Sequence, residues 1–101
     1  MQKTSIFFFT LLIFSITTHC FAGDEALFVA KCGACHKKGG KAAPVNPADK
    51  AGRVWEKYFK RNRHRVDISK NISTEELSRI INYLKGHAAD SDQPAAAVIP
   101  R

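Results

Sequence analysis

Sulfur is scarce in this chain: its 101 residues hold three cysteines and one methionine. Each shortage excludes something. Three cysteines do not build the disulfide framework of a small secreted scaffold. No second cysteine pair and no H-x₃₋₅-H run accompanies Cys32 and Cys35, so a closed zinc site of common spacing lacks half its ligands. The single methionine is Met1, at the start of the chain. Acid is short as well, with nine Asp and Glu against sixteen Lys and Arg and a formal charge of +7. Between Lys31 and Arg65, eleven cations face only Asp49 and Glu56, whereas the stretch from Asp67 onward is slightly acidic. No internal repeat is present, which removes solenoid and array architectures.

What is present centres on Cys32-Gly33-Ala34-Cys35-His36. A C-x-x-C-H run is the attachment signature of a covalent haem c. Each thiol adds across one vinyl group of the porphyrin edge, and two intervening residues set the required separation. His36 is then carried beneath the ring, where its imidazole binds iron as the proximal ligand. Half a zinc site and a redox dithiol are the competing readings. The first wants a second ligand pair, and the second wants a preceding strand and no adjacent histidine.

Residues 1–22 read as an export signal. Lys3 supplies the positive start, Ile6 to Ile16 form an apolar stretch broken only by Thr10 and Ser15, and Cys20-Phe21-Ala22 offers a cleavage site. The stretch is short for a membrane span; an uncleaved anchor is the alternative. Haem attachment to exported chains takes place outside the bacterial inner membrane, so signal and motif agree on a periplasmic location. Cleavage leaves Cys32 and Cys35 as the remaining thiols, removes Met1, and leaves no stable membrane insertion. Residues 23–87 then form one domain near the lower size limit for a self-sufficient apolar core, and a buried porphyrin would enlarge that core.

The coarse pattern is all helical. Asp24 to Lys31 reads as a short helix with Asp24 as N-cap, running into the motif and stopping near Gly39-Gly40. Residues 37–47, with Pro44 and Pro47, read as a loop; Pro44 or a neighbour is placed to offer His36 a backbone carbonyl. Ala48 to about Arg63 has helical composition, with Val54, Trp55, Tyr58 and Phe59 on one side. Ser73-Thr74-Glu75-Glu76 predicts a capping box, with Ile72 and Leu77 as its hydrophobic staple. Leu77, Ile80, Ile81 and Leu84 then continue at helical spacing to a stop at Gly86. Residues 88–101 read as a flexible tail.

These residues resemble a class I cytochrome c. Leu27-Phe28-(x₃)-Cys32-x-x-Cys35-His36 is similar to that family's first helix and haem site, and Leu77, Ile80, Tyr83 and Leu84 are similar to its closing helix. The resemblance implies an all-α fold of three to four helices around one covalently bound haem c, with Phe28 and Tyr83 packed where the two terminal helices cross. It also marks two departures. Asp24 stands where the family usually has glycine, and the distal methionine is missing. His64 is the expected distal iron ligand in its place, with His87 at the end of the closing helix as the other histidine. Glu56 to Asn62 is similar to the pre-ligand helix of the sphaeroides haem protein group, which makes Asn62, or an open position, the alternative.

Histidine on both faces implies a low-potential electron carrier, not an enzyme. A weak or open sixth position implies a binder of small gaseous ligands. The basic middle of the chain suits a redox partner with an acidic docking surface, or simply solvates a small domain. Nucleic acid, which also takes such runs, is not expected to meet an exported haem protein.

Overall fold

A computed structural model describes residues 20–101. Residues 1–19, most of the expected export signal, lie outside the described residues. The described chain is all helical apart from turns: α1 (Cys20–Cys32), a 3₁₀ turn (Pro47–Asp49), α2 (Gly52–Lys60) and α3 (Thr74–Gly86). Among the described residues no helix is long and apolar enough to cross a membrane.

α3 is the central element, because its apolar stripe is the widest. Ile80, Tyr83 and Leu84 are buried on it, and both α1 and α2 pack against it. Phe28 from α1 meets Tyr83 with ring centroids 5.5 Å apart, so the expected crossing pair is in contact. Trp55 comes from α2, and its indole N–H donates to the Pro47 carbonyl at 2.8 Å. Burying an aromatic or aliphatic side chain of this kind contributes roughly 1.5–3 kcal/mol. Burial, with Glu25 nearby, pushes the Tyr83 phenol up to about 12, so it stays neutral in the core.

The start of α3 matches its sequence signature. Ser73 Oγ accepts from the Glu76 N–H at 3.1 Å, and the Glu76 carboxylate accepts from the Ser73 N–H at 3.0 Å. That second bond, above all, holds the Glu76 carboxyl below its ordinary value. Ile72 is buried before the cap and Leu77 packs on the same cluster, completing the staple.

Four expectations are corrected. Asp24 does not cap α1, which begins at Cys20; its carboxylate instead accepts from Arg79 Nε of α3 at 2.9 Å. α1 also ends at Cys32, well before Gly39-Gly40. The helix expected over 48–63 is divided: Asp49 folds back onto the Asn46 N–H at 2.9 Å to close the 3₁₀ turn, and α2 starts only at Gly52. The segment 88–101 is not a loose tail. Ile99 is 3 % exposed and belongs to the core. The Ala48 N–H donates to the Ala95 carbonyl, the Ala95 N–H donates to the His87 carbonyl, and Arg101 pairs with Asp49. Its few apolar residues lack periodicity, so sequence pattern alone does not reveal that Ile99 is an anchor.

Candidate functional site

The C-x-x-C-H residues form a turn continuing from α1. The Cys35 and His36 N–H groups both donate to the Cys32 carbonyl, at 3.3 and 2.9 Å. Gly33 is required there, because a Cβ would stand 2.2 Å from the Val29 carbonyl oxygen. The chain then reverses through Gly39, at φ 77°, a left-handed conformation that glycine takes without strain. The Ala42 N–H donates to the Cys35 carbonyl at 3.0 Å, which lays the returning strand of loop beside His36.

That reversal fixes the imidazole. His36 Nδ1 lies 2.8 Å from the Ala43 carbonyl oxygen and donates to it. The donor is therefore Nδ1–H, and Nε2 keeps its lone pair for a metal. The expectation that Pro44 or a neighbour supplies this carbonyl is met by the neighbour.

On the other side, α2 ends in a Schellman turn. The Arg63 N–H donates to the Tyr58 carbonyl, the Asn62 N–H donates to the Phe59 carbonyl, and Asn62 is left-handed at φ 49°. Asparagine tolerates that conformation better than most residues, so Asn62 has a structural task in this turn. The turn redirects the chain and brings His64 opposite His36. His64 Nδ1 donates to the Val66 carbonyl at 2.7 Å, so its Nε2 is free in the same way. The two imidazole centroids are 6.1 Å apart, with the planes at 74°. One metal atom between two imidazoles, bonded at about 2.0–2.1 Å to each, separates their centroids by roughly 6–6.5 Å.

His87 is used differently. It is the C-cap of α3, its Nδ1 donates to the Gln93 carbonyl at 2.8 Å, and its ring lies 4.8 Å from Tyr83. The structure ties it into the C-terminal turn and not into the His36–His64 pair.

Of the two thiols, Cys35 is exposed and Cys32 is half-buried; burial pushes the Cys32 thiol up to about 11, keeping it protonated. Beside His64 opens a cleft of about 140 Å³ lined by Phe59, Asn62, Ile68, Ile72, Asp67 and Leu77 among others. Phe59, Ile68 and Leu77 are only half-buried there although they pack on the core. Asp67 rims the cleft, and hydrogen bonds from the Ser69 hydroxyl and N–H hold its carboxyl below the ordinary range.

Among the described residues no three His, Cys, Asp or Glu side chains converge as they do around a bare ion. Two neighbouring imidazoles suit an ion that brings its other ligands with it. The chemistry of this donor set, two thiols and two imidazoles beside half-buried apolar side chains, fits a flat, apolar, metal-bearing ring. Cys32 and Cys35 would hold its edge, His36 and His64 would hold its metal, and Phe59, Ile68 and Leu77 would cover its face. The sequence singles out Cys32, Cys35, His36, His64 and Phe59, and the structure brings the His36 and His64 rings to 6.1 Å and sets Phe59 in the cleft beside His64. Sequence reasoning missed the Val66 carbonyl, because a backbone acceptor leaves no mark on residue identity. No family model, no curated protein and no solved structure matches the chain.

Proposed function

We propose that this chain is an exported, monohaem c-type cytochrome of class I type, working in the periplasm as a low-potential electron carrier. Cys32 and Cys35 would hold the haem through thioethers, and His36 and His64 would bind its iron. The observation that supports this most is the pair of neighbouring imidazoles, 6.1 Å apart, each with Nδ1 engaged by a backbone carbonyl so that Nε2 is the ring atom left for a metal. When bound, a haem iron supplies reversible one-electron exchange.

The residues do the rest. With His36 and His64 both holding the iron, no position would remain for a substrate, and the Ala43 and Val66 carbonyls would keep the two rings oriented. Imidazole in place of thioether lowers the reduction potential, since methionine ligation raises it. No acid–base pair or nucleophile beyond the motif suggests catalysis, and the basic surface suits an acidic redox partner.

Gas binding is the second reading, and one observation favours it. His64 is held by a bond to Val66 of its own loop, two residues away. The loop therefore lets His64 withdraw without breaking a long-range contact.

The visible spectrum of the reduced protein, with and without carbon monoxide, separates the two. The carrier reading expects split low-spin bands indifferent to the gas, and a potential below those of His–Met cytochromes. A high-spin spectrum that shifts under carbon monoxide would select the gas binder.

A further inference from the structure

We propose that the C-terminal segment 94–101 is a strap that positions His36, acting through Asn46 and Ile99; the proposal deepens the haem-ligand reading above and rests on it. The carbonyl that accepts from His36 Nδ1 belongs to Ala43, in the loop that returns from Gly39-Gly40. Ahead of Ala43 that loop is tied to the motif by the Ala42–Cys35 bond. Beyond Ala43 it is tied to the strap. Asn46 holds the Ile99 backbone through both its side-chain polar atoms, at 2.8 and 3.0 Å. The Ala48 N–H donates to the Ala95 carbonyl at 3.0 Å, and Asp49 pairs with Arg101. The two Asn46 bonds span 53 residues, so no local contact replaces them.

Ile99 also reaches the motif itself. Its Cδ1 stands 3.6 Å from the point that a Cβ on Gly33 would occupy, and Gly33 lies between the two motif cysteines. Cys32, Val45 and Val98 pack on the same buried cluster as Ile99. The side chain of Ile99 thus meets the C-x-x-C-H turn while its backbone holds the loop that carries Ala43. One residue sets the spacing between His36 and its acceptor. His64 is held differently, by the Val66 carbonyl two residues along its own loop.

The consequence reaches the chemistry of the ring. An imidazole that donates Nδ1–H to a fixed carbonyl is a stronger base at Nε2. A stronger nitrogen donor favours the ferric over the ferrous state and so lowers the reduction potential. A loop free to drift weakens the Nδ1–H bond and raises the potential. A strap that only added stability would leave the potential alone.

The test uses the full haem-loaded protein with Asn46→Ala, Ile99→Ala and Ile99→Val. The two alanine variants are expected to speed exchange of the Ala42 N–H about tenfold or more relative to that of Ile80 in α3, through local opening of the loop. They are also expected to shift the ferric-over-ferrous preference two- to tenfold, which raises the potential by about 18–59 mV for one electron. Ile99→Val, which keeps most of the side chain, is expected to stay within about twofold of wild type on both readouts. Wild-type protein in urea, at the concentration that removes as much stability, is the control and is expected to keep its exchange ratio and its potential. Exchange that rises evenly along the chain, or a potential that moves as far in the urea control, makes the segment a stability element alone and overturns the proposal. A potential unmoved in both alanine variants overturns it as well and leaves the carrier reading standing. A wild-type chain that shows no one-electron couple overturns both.

Discussion

In the haem-loaded protein, His64→Ala is expected to convert a low-spin spectrum indifferent to carbon monoxide into a high-spin spectrum that binds the gas. The reasoning starts from occupancy. A site filled by imidazole admits an external ligand only in the small fraction of molecules whose imidazole has withdrawn, and apparent affinity falls by that fraction. If less than about 1 % of molecules are open, removal of the side chain raises apparent gas affinity by about a hundredfold or more. His64 is the residue to remove because its ring faces His36 at 6.1 Å and its Nδ1–H is already committed to Val66. Added imidazole is expected to restore the low-spin bands in the alanine variant. His87→Ala is expected to leave the spectrum unchanged, since that ring is engaged by Gln93 and Tyr83. A His64→Ala protein that stays low-spin and ignores carbon monoxide removes His64 from the iron.

Asn46→Ala is expected to destabilise the fold by about 2–4 kcal/mol, because it leaves the buried backbone of Ile99 without partners. Asn46 is 0 % exposed. Its Oδ1 accepts from the Ile99 N–H at 2.8 Å and its Nδ2 donates to the Ile99 carbonyl at 3.0 Å. Alanine cannot replace either bond, and the small cavity adds to the loss. For a domain of this size the shift in melting temperature is roughly 10–25 °C. Removing residues 94–101 is expected to cost about as much, since Asn46 is then the buried group without partners. Thermal unfolding of the two haem-loaded variants, followed by circular dichroism, checks both. A truncated protein within about 0.5 kcal/mol of the full chain would return the segment to the loose tail that its composition suggests.

The legible parts of this chain are those in which local chemistry decides. Ser73 and Glu76 cap α3 through two short bonds between neighbours, so four residues suffice to read them. The Phe28–Tyr83 contact is readable by likeness, and the carbonyl beside His36 is readable because a loop with Pro44 must return past the ring. The illegible parts are decided at long range. Asp24 looks like an N-cap until Arg79, 55 residues away, is placed beside it. Residues 88–101 look unstructured because Asn46, 53 residues before Ile99, supplies the pairing. Asn62 looks like a distal ligand by likeness, and in three dimensions it also terminates a helix. His64 lies between these cases. Its flanking cations Lys60, Arg61, Arg63 and Arg65 argue against burial, and the Schellman turn after α2 leaves His64 half-buried beside His36 while Arg63 and Arg65 stay exposed.

Denaturing mass spectrometry of the purified protein, paired with acidified organic extraction, bears most directly on whether Cys32 and Cys35 carry a macrocycle. The expected result is a chain heavier by one haem whose colour stays with the polypeptide, and a Cys32→Ala/Cys35→Ala chain that retains none. A wild-type chain at its bare polypeptide mass, or colour that leaves with the solvent, contradicts the account.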